Sequence, residues 1–298
     1  MHPTHDSHDN EAARFPFATF TLSVLAQLAV SIGIFLLLAP HVFRAEVSHP
    51  LMIVLTTILL GLPLSLFEYL YHRYLLHSAV LPFLRSMHRA HSTHHGLTSV
   101  KAPVLAAEPQ RLVAVKSEFP VEHDHQEDCM MFPYYAYSIF QAVFFVAMAL
   151  PLKLLLPGTP AIIGTMFAVT FSYSAYELWH AALHLPYDKV WRPLMEHRRY
   201  GKAVRYAYGF HLMHHWRPTA NLAVVGFWGF AIWDHLFRTH RRPENMPLDG
   251  AEVNFIDATL KKPRWPVAVL DRWQAGLFKA SRKIEAFAAK LFLRRQAP

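Results

Sequence analysis

The chain has 298 residues, 53% of them hydrophobic and only 17% charged, and a formal net charge of +8. About 25% charged residues is ordinary for a soluble protein, so a soluble globular domain is disfavoured. One cysteine, Cys129, excludes an internal disulfide and fits a reducing compartment. No basic-and-aromatic pattern of the RNA-binding kind is present, so no nucleic-acid partner is expected, and the positive charge is assigned to a membrane surface.

The first 15 residues, MHPTHDSHDNEAARF, are polar and aperiodic. They read as a disordered tail whose His2, His5 and His8 are solvated. Four charge-free runs follow: Phe17–Ala39, Pro50–Phe67, Phe132–Leu152 and Leu154–Tyr176. A bilayer core needs about 20 apolar residues per helix, so these predict transmembrane helices over about 17–39, 50–70, 132–152 and 157–178. Phe17–Ala39 is too long for a secretory signal and lacks a small-residue cleavage site. The short loop 41–49 carries only Arg44 and the hairpin 151–160 only Lys153, whereas 73–116 holds six basic residues and the chain from Lys189 onward twenty. Basic residues stay inside, so both termini and both large polar segments are expected on the cytoplasmic side.

The apolar run Ala220–Trp233 is too short to cross and is expected to pack under a site or dip into the interface. Residues 16–242 thus form one membrane-embedded domain and 243–298 a cytoplasmic C-terminal segment. Within the latter, Leu270, Trp273, Leu277, Ala280, Ile284, Phe287 and Leu291 recur at three and four, the spacing of one helical face. Seven Lys and Arg follow Trp265, which reads as a basic amphipathic helix lying on an anionic membrane, with a partner helix as the alternative.

Histidine is the unusual residue, with 21 copies. HRYLLH places His72 and His77, HSTHH places His91, His94 and His95, HAALH places His180 and His184, and HLMHH places His211, His214 and His215. Residues three and four apart share a helical face, so each His-x-x-His-His is expected to aim its first and last two side chains the same way. His72 and His77 are five apart, about 140° on a straight helix. They share a site only if the helix widens in a π turn, or else each faces a different ion. Ten imidazoles delivered to one side of a membrane are too many for one metal ion and suit two. No His-Glu-x-x-His occurs, so a zincin protease is disfavoured.

Glu-x-x-His, the signature of di-iron carboxylate bundles, occurs at Glu46/His49, Glu122/His125 and Glu177/His180. The first falls on the opposite side of the membrane and the second in a loop, so both look like chance. Glu177 and Glu68, each about one turn before a histidine, are candidate outer-shell partners, with helix capping as the alternative. His88 is a possible substitute for His91. His123, His125, His197, His235 and His240 are expected in loops, in solvent or at head groups.

The ordered boxes HRYLLH, HSTHH, HAALH and HLMHH resemble those of the membrane-bound fatty acid hydroxylase / sterol desaturase superfamily. EYLYHRYLLH is similar to the fatty acid 2-hydroxylase branch, and PTANL with WDHLFRTHRRP to the segment after the last box. The likeness spans roughly residues 50–242. It implies an all-α integral membrane protein, four transmembrane helices under a cytoplasmic helical His-rich cap, and the ten histidines holding two iron ions. It further implies an O2-dependent oxidoreductase that hydroxylates a lipid, an acyl chain or a sterol-like molecule, entering from the bilayer. Desaturation by the same chemistry is the alternative. Asp234 becomes a third outer-shell candidate. No His-Pro-Gly-Gly haem motif is present, so electrons are expected from a separate ferredoxin- or cytochrome b5-type donor. Zinc is expected to replace iron readily in purified protein. A divalent-metal transporter or a bis-His cytochrome would need ligands at mid-span, where this sequence has none.

Overall fold

The computed structural model describes residues 15–78, 85–98, 100–101, 116–117, 130–242 and 262–295. The polar tail, Cys129, His123 and His125 lie outside them. Among the described residues the named elements are helices apart from two paired two-residue strands, Val100–Lys101 (β1) and Lys116–Ser117 (β2). It divides into two units, residues 1–68, 120–198 and 224–231, and residues 69–119, 199–223 and 232–298.

The first unit contains α1 (Phe17–Leu38), α2 (Pro40–Val47), α3 (Pro50–Tyr71) as far as Glu68, α5 (Ala136–Phe144), α6 (Leu150–Leu155), α7 (Ala161–Leu183) and the short α8 (Arg192–Glu196). A π-helical stretch, Phe145–Ala149, runs α5 into α6. Phe20, Val24 and Leu28 of α1 bury themselves against Ala136, Tyr137 and Tyr173. Leu64, Phe144, Ala168 and Val169 form a second cluster. Close approach of α3 and α7 depends on Gly164, where a Cβ would lie 2.6 Å from Thr56 Cγ2. Small residues give helices this proximity in lipid, where apolar burial no longer drives association. Polar side chains add to it: the Gln141 amide donates to the Met166 carbonyl at 3.0 Å and to Tyr137 Oη at 2.7 Å.

Among the described residues three helices are long and apolar enough to cross a membrane: Phe17–Leu38, Pro50–Leu76 and Ala136–Leu155. They expose leucines freely, Leu37 and Leu38 at 81% each and Leu154 at 74%, as a surface facing lipid does and a soluble surface rarely does. The fourth expected span differs. At 23 residues α7 is long enough, but Thr165, Thr170, Ser172 and Ser174 dilute its apolarity, and 12 of its residues are buried. Its start is held by a charge: the Glu46 carboxylate, itself buried, accepts the N–H groups of Ile162 (3.3 Å) and Ile163 (2.9 Å) and pairs with Lys153 at 3.0 Å. An acidic group there satisfies orphan donors and complements the helix dipole. That accounts for Glu46 without a metal.

The second unit contains the end of α3, α4 (Arg85–Leu97), β1, β2, α9 (Gly201–Trp216), α10 (Ile232–Phe237) and α11 (Val267–Arg295). Past Tyr71 the α3 helix widens into a π turn over His72–Leu76. The 29-residue α11 is tied down near its start, where Asp271 accepts both the Nε (2.9 Å) and Nη2 (2.7 Å) hydrogens of Arg73, and the Tyr74 hydroxyl at 2.9 Å. Its Trp273, Leu277, Ile284 and Phe287 are 57–68% exposed.

Candidate metal centre

Five histidines of the second unit, His72, His77, His91, His95 and His214, bring one ring nitrogen each within 4.8 Å of all the others. The π turn makes the first pair possible. The His77 N–H reaches back to the His72 carbonyl at 3.3 Å, an i to i+5 bond, and the two rings stack at 5.1 Å. The π turn, not a separate ion for each ring, is what this fold uses.

The triples HSTHH and HLMHH behave differently from the shared-face expectation. His91 and His95, four apart on α4, join the first set, while His94 turns away. On α9 the reverse holds: His214 joins the first set, and His211 and His215 point elsewhere. The reason is helix geometry. A residue at i+3 sits about 60° to one side of residue i and one at i+4 about 40° to the other. The triple therefore straddles two points instead of serving one. His94, His211 and His215 make the second grouping of this unit, with Nε2 of His215 3.2 Å from Nε2 of both His94 and His211.

In the first set the Nε2 atoms sit close: His72 to His91 3.2 Å, His77 to His214 3.1 Å, His91 to His77 3.1 Å and His95 to His91 3.1 Å. Tautomers are set from behind. His72 Nδ1–H donates to the Leu222 carbonyl at 2.6 Å and His214 Nδ1–H to the Ala220 carbonyl at 2.9 Å. In the second grouping His215 Nδ1–H donates to the Thr98 carbonyl at 3.0 Å. With Nδ1 carrying the proton, Nε2 of these three rings presents a bare lone pair. His91 Nε2 lies 3.1–3.2 Å from three other Nε2 atoms, those of His72, His77 and His95, and one ring nitrogen can make only one hydrogen bond, so the remaining close contacts call for a cation between them. Metal–nitrogen bonds of about 2.0–2.1 Å at angles of about 90–105° put neighbouring ligand atoms about 2.8–3.3 Å apart. The residues present fit a metal ion.

Burial supports the same state. His77, His91 and His214 are each held well below the ordinary imidazole value of 6.5, first by desolvation and then by neighbouring imidazoles. For His214 the bond to Ala220 opposes the shift. Neutral imidazole is the metal-binding form.

The segment that supplies two of these carbonyls is pinned by Asp234. Its buried carboxylate accepts the Leu222 N–H (3.0 Å), the Ala223 N–H (2.9 Å) and the Thr239 hydroxyl (2.7 Å). Burial raises the Asp234 pKa and these donors oppose it. Asn221 takes the left-handed conformation the turn needs (φ 50°), and its side chain bonds the Phe210 and Arg241 backbones. Asp234 thus acts on His72 and His214 through the backbone between them. Sequence reasoning missed Thr98, Asn221, Ala220 and Leu222. Only the run PTANL after the last box hinted at the last three, because a carbonyl acceptor carries no side-chain signature.

The first unit holds His180, His184, Glu177 and Glu68. His180 and His184 sit at the end of α7, both buried, with rings 5.2 Å apart and ligand nitrogens within 4.8 Å of each other. Glu177 is buried and accepts the Phe132 N–H at 2.8 Å. Glu68 accepts the N–H groups of Val224, Val225 and Gly226, the last two at 2.9 Å. Gly226 is required there, at φ +61° with a Cβ aimed into the Phe230 carbonyl. Both carboxylates therefore hold loop backbone. His88 donates from Nδ1 to the Leu76 carbonyl at 2.7 Å and lies outside the two groupings. His235 stacks on His240 at 3.9 Å, and His240 Nε2 meets the Tyr206 hydroxyl at 2.6 Å. Comparison with protein-family models, curated proteins and solved structures finds no match for this chain.

Proposed function

We propose that this chain is an O2-dependent lipid hydroxylase of the membrane-bound fatty acid hydroxylase / sterol desaturase type, with two iron ions held by its ten box histidines. The observation that carries the reading is the first set: five imidazoles with converging Nε2 atoms, two of them locked into the metal-binding tautomer by backbone carbonyls. An all-nitrogen donor set suits iron, zinc, copper or nickel. The resemblance of the box order selects iron and oxygen chemistry. Bound iron would supply the reduction of O2 and the removal of hydrogen from an unactivated lipid C–H bond.

The chain's own contribution is orientation and exclusion of water. His72, His94, His184 and His214 have no solvent exposure, which keeps competing protonation and hydrolysis away from the ligands. His94, His211 and His215 are assigned to the second ion, and His180 and His184 count among the ten ligands on the likeness of the HAALH box alone. In this proposal α7 is a fourth span, the histidines and termini face the cytoplasm, the lipid enters from the bilayer, and a separate ferredoxin- or cytochrome b5-type protein delivers electrons. Desaturation of the same substrate class is the alternative outcome.

A lipid profile tests this. The wild type and a His214→Ala/His215→Ala variant are expressed with an electron donor and extracted lipids are compared by mass spectrometry. A species heavier by one oxygen, or lighter by two hydrogens, found only with the wild type identifies the reaction and its substrate. Identical profiles from two folded, membrane-inserted proteins reject the oxygenase and favour metal transport.

A further inference from the structure

In the second unit α4 and α11 line a pocket of about 290 Å³ walled by Arg85, His88, Arg89, Phe278 and Arg282. Arg85 and Arg89 are one turn apart on α4, as are Phe278 and Arg282 on α11, so each helix presents one face to it. On α11 that face is the one carrying Asp271, seven residues before Phe278. The bidentate Arg73–Asp271 pair therefore fixes the rotation that turns Phe278 and Arg282 inward. His88 adds an imidazole whose Nδ1 is already committed to the Leu76 carbonyl.

The lining holds three guanidinium groups and an imidazole and, among the described residues, no carboxylate. Three like charges brought from two helices nearly 200 residues apart repel one another. A multivalent anion among them reverses the sign of that interaction. Guanidinium forks match the paired oxygens of phosphate, which offers enough acceptors for several at once, whereas a carboxylate has two. The pocket is larger than a phosphate ion, and Phe278 gives it an apolar wall for whatever the phosphate is esterified to.

We propose that the Arg85, Arg89 and Arg282 pocket binds the phosphate group of a phosphate ester, clamping α11 to α4. Its place in the chain gives this a consequence. Arg89 is two residues before His91, the first of the three box histidines on α4, so an anion here ties the helix that bears them to a second element. The proposal is independent of the reaction carried out at the histidines.

The test uses the full-length chain in non-ionic detergent at constant ionic strength, reading the thermal midpoint and a binding isotherm. The probes are sodium phosphate, short-chain phosphatidic acid below its micellar concentration, and short-chain phosphatidylcholine, against sodium chloride. The phosphate anions are expected to raise the midpoint saturably above chloride. Arg89→Gln/Arg282→Gln should weaken binding at least about tenfold with metal content per chain unchanged. Phosphatidic acid binding about tenfold tighter than inorganic phosphate identifies a lipid headgroup as the source. Equal affinity identifies a soluble phosphate. Equal binding by variant and wild type, or no saturable effect beyond chloride, overturns the site. Should the double variant not fold, Arg282→Gln alone, on an exposed position, carries the same comparison.

Discussion

His72 and His214 come from different helices and present the same nitrogen for the same reason: each spends its Nδ1 hydrogen on a carbonyl of the 220–223 segment. Asp234 holds that segment by two backbone N–H groups. Asp234→Ala strands both donors in a buried site, at about 1–3 kcal/mol each, while Asp234→Asn keeps an acceptor for one. Metal affinity is expected to fall about 10–100-fold in Asp234→Ala and less in Asp234→Asn, read by competition with a chromogenic chelator. Equal affinity in all three proteins would remove Asp234 from the site.

A second residue-scale effect lies away from the ligands. Desolvation, then His235, Arg242 and Arg241, lower the His240 pKa to about 4, with the Tyr206 hydroxyl also facing its ring. The folded chain thus stays unprotonated at His240 where the unfolded chain binds a proton, between pH 6.5 and about 4. Stability from this group is complete above 6.5, falls with pH across that window and levels off below it. Thermal midpoints in detergent should show a shallower acid slope for His240→Gln than for the wild type.

At the scale of elements, the twice-written His-x-x-His-His has a geometric meaning. Each copy straddles two points: α4 gives two ligands to the first set and one to the second, and α9 gives one and two. The spacing of the boxes was legible in the sequence. Which residue of a triple goes which way was not, because 3.6 residues per turn leaves i+3 and i+4 on either side of residue i and only the neighbouring helix chooses. His91→Ala and His94→Ala, three residues apart, are therefore expected to disturb different ions. If two ions are bound as proposed, elemental analysis should find each variant retaining about one of them per chain. Loss of both metals from each single variant would show one shared cluster. Likewise, five residues between His72 and His77 left two solutions open, and the π turn is the one adopted.

For the whole molecule, apolar blocks made a membrane protein legible, because a bilayer core demands long uncharged helices whatever their packing. Three helices satisfy that demand by length and composition. The chain is expected to remain in the membrane pellet through an alkaline wash and to leave it only in detergent. Its release at high pH alone would contradict the spans. About half of α7 is buried, and its Thr165 and Thr170 hydroxyls bond backbone carbonyls one turn earlier in the same helix, a use of hydroxyls that composition alone does not reveal.

By itself the sequence determined the helical class, the apolar segments and the ten histidines in four boxes, because periodicity and residue chemistry are local properties. Tertiary structure decided which nitrogen each ring offers, which histidines of a triple stand together, and that Asp234, Glu68 and Glu177 bind backbone N–H groups. Those outcomes depend on carbonyls and amides of distant segments. Every residue carries such groups, so only the fold distinguishes them.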